Sequence, residues 1–308
     1  MMLFPSRIAS LLAVGLFSTI LPPAFCAAKK TEIVLPFRNV QGEIVVSFAL
    51  NGHKGMNFLM DTGSGASVLD TAAATAAHVK ILPLAAPQWQ SPAGPFAPTQ
   101  AAPRAKIIGY GLMLHDNLVV GDLQNLQKRL DIPLAGIIGF DFLGQLPFLV
   151  NYSTNTITIF PEKPQGIEVP LEPPIPHEFN GSVICLSLEL PDGRQVKAHL
   201  TVDTGSTEGL TLHAPFVQKY GLKPPTQAKV VSETSYSGNY NAIPGVVPAL
   251  LLGNLRVEDL QTLYDVTPVG VAGSEPIDGE IGYKILSRFH VFVDAPHHVV
   301  VFEPASAR

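Results

Sequence analysis

The chain is poor in cysteine and in charge. It has two cysteines in 308 residues, and charged residues make up 15% of it. Lys and Arg number 20 against 25 Asp and Glu, which gives a formal net charge of −5, and no run of like charge exceeds a few residues. A nucleic-acid-binding protein would be expected to show a basic patch, and none is visible. We therefore expect no nucleic-acid partner.

Long hydrophobic runs are also scarce. The apolar stretch Ile8–Leu21 follows Arg7, ends at two prolines, and leads to the small residues Cys26-Ala27-Ala28. It is shorter than the roughly 20 residues that span a bilayer, and its charged start and small-residue end are typical of a secretory signal peptide. We expect residues 1–28 to be removed, the mature protein to be secreted or periplasmic, and no stable membrane insertion. A retained anchor and a lipid-modified Cys26 are the alternatives.

Removal of this segment would leave one cysteine, Cys185, and therefore no internal disulfide. Cys185 lies in an apolar run that predicts a buried strand, so we expect an unpaired core thiol. Glycine and proline are abundant, with 26 and 28 residues, and this composition favours short strands and turns over long helices. The sequence thus predicts a mostly β protein, and its length allows about two domains.

A repeat organises the chain. Asp61-Thr-Gly-Ser64 recurs as Asp203-Thr-Gly-Ser206, and each copy follows the pattern strand, tight turn, strand, with Asn51-Gly52 and Asp192-Gly193 at the turns. After the motif, the pattern matches Val119–Leu123 with Leu251–Leu255, and Gly136–Leu143 with Gly279–Leu286. We expect a signal peptide at 1–28, an N-terminal lobe at 29–165, a stiff Pro-rich linker at 166–178 and a C-terminal lobe at 179–308.

The repeated aspartate suggests a specific chemistry. One such loop in each copy, with the copies related by a pseudo-twofold axis, would bring the Asp61 and Asp203 carboxyl groups together. Two carboxyl groups a few ångströms apart do not both ionise, so the pair keeps one proton. The charged group can act as general base on a water, and the protonated group can donate to a substrate carbonyl. The proton belongs to the pair, so neither aspartate is named acid or base.

Both copies resemble the aspartic protease family, in its retropepsin-like branch. The resemblance rests on Asp-Thr-Gly-Ser, on the hydrophobic residues that follow it, and on the later triplets Ile137-Ile138-Gly139 and Glu280-Ile281-Gly282. It implies an all-β fold with two pseudo-twofold-related acid-protease β-barrel lobes and few short helices, in a two-lobed, pepsin-like arrangement. It also implies a monomer that acts on a peptide or protein substrate and needs no cofactor and no metal.

By this resemblance Asp61 and Asp203 are the catalytic pair. Thr62 and Thr204 would hydrogen-bond across the two loops. The residues expected to shape and hydrogen-bond the aspartates are Gly63, Ser64, Gly205 and Ser206. Two positions depart from the family pattern: Glu280 stands where an apolar residue is usual, which is costly unless the carboxylate is exposed or paired, and Lys284 stands in the second copy where the first has Asp141.

Four residues are candidates for lining the substrate cleft. Trp89 lies in the Pro-rich flap segment of the first copy, and Tyr236 and Tyr240 flank a predicted hairpin turn in the second. His213 follows the second motif. An ordinary packing or surface role is the alternative for each.

Two functions of different classes remain open. The first is an aspartic endopeptidase. The second is a catalytically silent peptide-binding protein that keeps the same bilobed cleft. The intact second Asp-Thr-Gly-Ser argues against the silent form, because a silent copy would be expected to tolerate loss of its carboxylate.

Overall fold

A computed structural model describes residues 31–84, 89–91, 94–96, 98–115, 118–173, 181–236, 238–266 and 276–305. The predicted signal peptide and residues 174–178 of the predicted linker lie outside the described residues. Within them, none of the helices has the length and apolar character needed to cross a membrane.

Short strands dominate the described residues. Those of the first half are β1 (Ile33–Pro36), β2 (Arg38–Val40), β3 (Glu43–Leu50), β4 (His53–Met60), β5 (Val68–Asp70), β6 (Leu82–Pro83), β7 (Trp89–Ser91), β8 (Gly94–Phe96), β9 (Gln100–Ala102), β10 (Lys106–Gly109), β11 (Leu112–His115), β12 (Leu118–Gly121), β13 (Gly136–Ile138), β14 (Phe148–Asn151) and β15 (Thr156–Ile159). Those that follow are β16 (Ile167–Pro170), β17 (Val183–Glu189), β18 (Gln195–Val202), β19 (Leu210–Leu212), β20 (Val231–Ser235), β21 (Gly238–Gly245), β22 (Ala249–Leu252), β23 (Leu255–Val257), β24 (Thr262–Asp265), β25 (Gly279–Ile281), β26 (Phe289–Asp294) and β27 (Val299–Pro304).

The helices in the described residues are short. They are α1 (Thr71–Ala76), α2 (Gln124–Leu130), α3 (Phe140–Leu143), α4 (Ala214–Tyr220) and α5 (Tyr283–Leu286), with a 3-10 turn at Ala295–His297. The sequence explains two of their ends. Asp70 caps α1 by accepting a hydrogen bond from the Ala73 N–H at 3.0 Å, and Gly221 ends α4 in the left-handed conformation, φ 64°.

Each half forms a sheet with the same strand order. The first sheet runs β11-β10-β3-β4-β13-β5-β12-β9-β6, with β2 added beside β3, and the second runs β23-β22-β17-β18-β25-β19-β24-β21-β20. Strand β13 pairs parallel to β4 and antiparallel to β5, and β25 pairs in the same way with β18 and β19. The two halves are therefore structural copies.

A third sheet joins the halves. Its order is β1-β15-β14-β26-β27-β16, and the central pair β14–β26 brings one strand from each copy together, with Val150 opposite Val291. A pseudo-twofold axis between β14 and β26 relates the two halves of this sheet, β1-β15-β14 and β26-β27-β16. The fold is all-β and two-lobed with few short helices, as the sequence predicts. The described residues from Glu32 onward form one compact unit.

The beginning of the predicted linker is part of this third sheet. Ile167–Pro170 forms β16 and pairs with β27, and Leu171 forms a single bridge with Ile184. These described residues are extended, as the Pro-rich sequence suggests, but they pair with neighbouring strands instead of running as a free spacer.

The two predicted hairpin turns differ from each other. Asn51 and Gly52 both have positive φ, 48° and 91°, and form the two-residue turn that Asn-Gly favours. In the second copy the turn is longer, because Pro191 precedes Asp192-Gly193 and only Gly193 adopts positive φ, 83°. The Gly193 N–H donates to the Leu190 carbonyl at 2.9 Å, so the turn takes the three-residue form.

One sequence match between the copies is wrong. The pattern matches Val119–Leu123 with Leu251–Leu255, but β12 pairs parallel to β5, and the strand that does the same in the second half is β24. Leu251 instead lies on β22, beside β17, where β10 lies beside β3 in the first half. An apolar pair followed by Gly and a turn residue ends many strands, so this local pattern did not specify the partner strand.

The main apolar core extends through both halves. Phe58, Phe148 and Phe302 are among its fully buried side chains. A second, smaller cluster lies only in the first half, where residues of α2 such as Leu126 and Leu130 pack on Ile137 and its strand neighbours. Burial of a side chain of this size is worth about 1.5–3 kcal/mol, so these cores hold the two loops that follow β4 and β18 in place.

Candidate active site

Asp61 and Asp203 occupy equivalent loops at the centre of the molecule. Asp61 follows β4, and its N–H donates to the Ile138 carbonyl at 2.9 Å. Asp203 follows β18, and its N–H donates to the Ile281 carbonyl at 3.0 Å. The glycines that follow β13 and β25, Gly139 and Gly282, let the backbone of the aspartate loop approach, since an added Cβ would lie 2.7 Å from the Ser64 or Ser206 carbonyl oxygen.

Two threonines bond the loops to each other. The Thr62 N–H donates to the Thr204 hydroxyl at 3.1 Å, and the Thr204 N–H donates to the Thr62 hydroxyl at 3.0 Å. Each hydroxyl also donates to the strand of the opposite half, Thr62 to the Val202 carbonyl and Thr204 to the Met60 carbonyl at 2.7 Å. Both threonines are buried, so this reciprocal network sets the spacing of the two loops.

The carboxyl groups of Asp61 and Asp203 meet. They share a hydrogen bond, and each lies against the glycine of the other loop. A Cβ added to Gly63 would lie 2.3 Å from the Asp203 carboxyl carbon, and one added to Gly205 would lie 2.4 Å from that of Asp61. Only glycine fits at these two positions, so the repeated Thr-Gly is a requirement of the close approach.

Backbone N–H groups hold the carboxyl groups in their loops. Asp61 Oδ1 accepts from the N–H groups of Gly63 at 2.9 Å and Ser64 at 2.8 Å. Asp203 Oδ1 accepts from Gly205 at 2.7 Å, whereas the Ser206 N–H points to the Asp203 backbone carbonyl at 3.4 Å. The second carboxylate is thus less supported by its own backbone than the first.

The pKa values of both aspartates lie well above the ordinary range. For Asp61 the main cause is burial, followed by the charge of Asp203 and the hydrogen bond between them. For Asp203 the main cause is burial, followed by the charge of Glu280. A pair of this kind retains one proton over a wide range of pH, which is the state required for acid–base work on a bound water.

Two further glutamates lie beside the pair, Glu43 buried and Glu280 partly exposed. Glu280 hydrogen-bonds with Asp203 and with Ser206, and burial raises its pKa from 4.5 to about 7. Glu43 is 1% exposed, pairs with Arg129 of α2, and also has a pKa raised to about 7, mainly by burial. The sequence marked Glu280 as an exception to the family pattern, but nothing in the sequence pointed to Glu43.

The flap tyrosines lie close to the acidic groups. Tyr236 follows β20, packs on the apolar cluster of the first half, and has its pKa raised by burial and by the charge of Asp61. Tyr240 lies on β21, and its pKa is raised by burial and then by the charge of Glu280. Both tyrosines therefore lie within range of the charges of this acidic group. The backbone of Trp89 begins β7, but its side chain lies outside the described residues.

His213 is buried beside Ile277 and Asp265. It is 3% exposed, its Nδ1 lies 2.9 Å from the Ile277 carbonyl oxygen, and its Nε2 lies 4.0 Å from Asp265 Oδ2. Burial lowers its pKa to about 4, so the ring is neutral at ordinary pH. The side chain packs beside Asp265, and almost none of its surface is accessible to a substrate. The expectation that His213 lines the cleft therefore does not hold.

Lys284 in the second half takes the place of Asp141 in the first, and each forms a different polar contact. In the first half Asp141 accepts hydrogen bonds from the Ser67 N–H at 2.9 Å and hydroxyl at 2.7 Å. In the second half Lys284 Nζ lies 2.7 Å from Glu208 Oε2. Each pair ties the helix after β13 or β25 to the loop that follows the aspartate, so the two halves achieve the same link with different charges.

One group of described residues offers metal-ligating atoms close together. Atoms of Glu172, Cys185 and His199 lie within 4.8 Å of one another. Cys185 and His199 are cross-strand partners on β17 and β18, so the register of this hairpin brings them together. Cys185 is partly exposed rather than a core residue, and burial raises its thiol pKa. The group lies outside the aspartate loops.

In comparisons with known proteins, no family model matches the chain, and no curated protein matches it.

Proposed function

We propose that this chain is an aspartic endopeptidase in which Asp61 and Asp203 share a proton and act on a water molecule. One observation supports the proposal above all: two equivalent loops from the two halves present hydrogen-bonded carboxyl groups, each packed against the other loop's glycine. A pair of turn-forming aspartates that only capped their own loops would not need that approach.

The proposed reaction follows from the shared proton. The charged carboxylate takes a proton from water as the water oxygen attacks the carbonyl carbon of a peptide bond. The protonated carboxyl group donates its proton to the carbonyl oxygen, which forms a neutral tetrahedral diol. The carboxyl group that took the proton from water then donates it to the amide nitrogen, while the other carboxylate takes a proton from one hydroxyl of the diol. The C–N bond breaks as the C=O bond forms again, and the pair holds one proton as before.

The surroundings fit a peptide substrate. Tyr236 and Tyr240 on the β20–β21 flap lie near the carboxyl groups, and their rings offer apolar area together with a hydroxyl group. We propose that both contact bound peptide, and that Trp89 does so from the flap of the first half. Metal and cofactor have no place in the proposed reaction, and both carboxyl groups come from one chain, so the protein acts as a monomer.

Localisation belongs to the same proposal. Residues 1–28 are proposed to be a signal peptide, and the mature enzyme to act in a secreted or periplasmic setting on peptide or protein substrates.

A catalytically silent peptide-binding protein is the second candidate. The same cleft and the same flap tyrosines support it. It differs from the enzyme only in turnover, so a single set of measurements separates the two.

The test uses purified residues 29–308 with a mixed peptide library from acid to neutral pH. Asp61→Asn and Asp203→Asn are each expected to lower turnover at least about 100-fold, because one carboxyl group does not perform both proton transfers. Asp192→Asn, in an exposed turn, is the matched control and is expected to keep full turnover. Turnover that survives in either dyad variant would contradict the enzyme, and peptide binding without turnover in the wild type would favour the silent protein.

A further inference from the structure

Glu280 stands in a row of residues whose chemistry differs between the two halves. Its structural counterpart in the first half is Ile137, at the centre of β13. The strand neighbours of Ile137 are apolar and those of Glu280 are polar: Leu59 and Val68 in the first half, Thr201 and Thr211 in the second. Three adjacent positions therefore differ in polarity between the halves, and in the second half the two threonines are buried while Glu280 is partly exposed. A carboxyl group with an apolar surrounding is costly, but this one has polar neighbours.

The side chain of Glu280 reaches the aspartate pair. The Ser206 hydroxyl donates a hydrogen bond to it, and a second hydrogen bond joins it to Asp203. Asp203 in turn is hydrogen-bonded to Asp61. Three carboxyl groups thus form a line, Asp61–Asp203–Glu280, and the hydroxyl of the second catalytic loop holds the outer end. The corresponding positions of the first half differ: Ile137 packs in the apolar cluster under α2, and the Ser64 hydroxyl donates to the Ala66 carbonyl at 2.8 Å. The acid of the first half that acts on the pair, Glu43, does so by its charge.

We propose that Glu280 is a positioning residue that exchanges a proton with Asp203 and thereby sets the upper end of the pH range in which the pair is active. The inference rests on the proposed function. The exchange takes place when the line of three groups holds two protons, one on Asp61 and one on Asp203. The O–H bond of Asp203 breaks as an O–H bond forms on the ionised Glu280, so the total charge of the line does not change. Asp61 keeps its proton, and the Asp61–Asp203 pair passes from two protons to one.

Other acidic groups reinforce this role. Asp265 on β24 acts on Glu280 by its charge, and Glu233 on β20 and Tyr240 on β21 lie in the same acidic neighbourhood. Asp61 and Asp203 act on it from the loops after β4 and β18. When Glu280 is ionised, its negative charge opposes the loss of the last proton from the pair. The pair therefore remains singly protonated to a higher pH than it would with an apolar residue at this position.

The first experiment measures kcat/KM against pH for the wild type, Glu280→Gln, Glu280→Ile and Glu280→Asp. Glu280→Ile installs the residue of the first half. For the Gln and Ile variants we expect the alkaline limb to move to lower pH by about one unit, which is a tenfold loss of turnover at a fixed pH on that limb. The rate on the acid side is expected to change far less. The Asp variant keeps a carboxyl group and is expected to restore part of the shift.

Glu233→Gln is the matched control, because it removes a nearby acidic group that does not form part of the line of three carboxyl groups. We expect it to move the alkaline limb much less. A uniform loss of turnover at every pH in the Gln and Ile variants, with no movement of the limb, would mean that Glu280 has only a structural role and would overturn the proposal. An equal shift in the Glu233 variant would also overturn it, because the effect would then be one of general charge.

A second measurement does not depend on turnover. The folded-state pKa of Glu280 is raised from 4.5 to about 7, so the unfolded chain releases this proton at lower pH than the folded chain. The wild type should therefore lose unfolding free energy relative to Glu280→Gln as pH rises from about 4.5 to about 7. If the wild type cleaves no peptide but this difference is observed, the proposed function fails and the buried, proton-binding state of Glu280 stands. If the wild type cleaves peptides and neither measurement responds to Glu280, the inference fails and the function stands.

Discussion

Asp265 is the last residue of β24, and its Oδ1 atom is buried and in no hydrogen bond. Burial, followed by the charge of Glu233, raises its pKa from 3.8 to about 8. A carboxyl group with a raised folded-state pKa costs no stability below its unfolded pKa, and the cost grows as pH rises towards the folded value. Single buried acids of this kind determine how stability depends on pH.

Replacement of this acid should therefore stabilise the protein in a pH-dependent way. Asp265→Asn is expected to raise the unfolding free energy by a few kcal/mol at about pH 8 and by much less at about pH 4, because each pKa unit corresponds to about 1.4 kcal/mol. Urea unfolding at the two pH values measures the difference. Asp192→Asn is the control and should show no such gain. Equal effects of Asp265→Asn at both pH values would mean that the carboxyl group is not protonated in the folded state.

Thr62 and Thr204 show which side-chain contacts could be predicted from the sequence. Their cross-loop bonds are expected from the resemblance, and both are present. The contacts of Glu43 with Arg129, 86 residues away along the chain, were not expected. No local pattern relates two residues so distant, since only the packing of α2 against the first sheet brings them together.

At the scale of the element, the conformation of the two aspartate loops depends on glycine. Gly205 lies where its missing side chain makes room for the Asp61 carboxyl group, and Gly63 does the same for Asp203. The two aspartate loops are therefore one unit, in which the glycine of one copy leaves room for the acid of the other.

A single methyl group tests that unit. Gly205→Ala would place a Cβ 2.4 Å from the Asp61 carboxyl carbon. We expect turnover to fall about 100-fold, because a displacement of about 1 Å of a reacting group costs that much. Steady-state kinetics on a peptide substrate measure the loss.

Gly221→Ala provides the control for this variant. Gly221 has φ 64° and nothing within 4 Å of an added Cβ, so the substitution costs about 1–2 kcal/mol of backbone strain but leaves the site untouched. Its turnover should equal that of the wild type. Full turnover in Gly205→Ala would contradict the packing of the loops against each other.

The helix ends and hairpins were predictable only where one residue decides the local conformation. Asp70 caps α1 and Gly221 ends α4, as the sequence indicates. The Asp192-Gly193 turn is longer than the two-residue form, because Pro191 fixes its own φ and shifts the turn. The match of Val119–Leu123 with Leu251–Leu255 was wrong. A strand's own sequence does not specify its partner, because the pairing also depends on how the rest of the sheet packs.

At the scale of the whole molecule, the halves depend on each other. The six-stranded sheet places β14 of the first half beside β26 of the second along four residue pairs. The reciprocal threonine bonds add a second link between the halves. Either half alone would expose the edge of β14 or β26, and with it apolar side chains that the pairing covers.

Separation of the halves should therefore abolish folding. Residues 29–165 expressed alone are expected to show no cooperative unfolding transition and to aggregate, whereas co-expression with residues 166–308 should restore a soluble complex. Circular dichroism during urea titration measures the transition. A cooperative transition in the isolated first half would show that the shared sheet is not needed for its stability.

By itself the sequence determined the all-β class and the duplication with its two aspartates, because strand periodicity, Gly and Pro at turns and a repeated motif are local signals that need no partner. Only the tertiary structure decided which strands pair, how closely the carboxyl groups of Asp61 and Asp203 approach, and that Glu280 joins them in a line. These features depend on contacts between residues far apart in the chain, and such contacts form only when both halves have packed together. The same packing removes the carboxyl groups from water and so raises their pKa values.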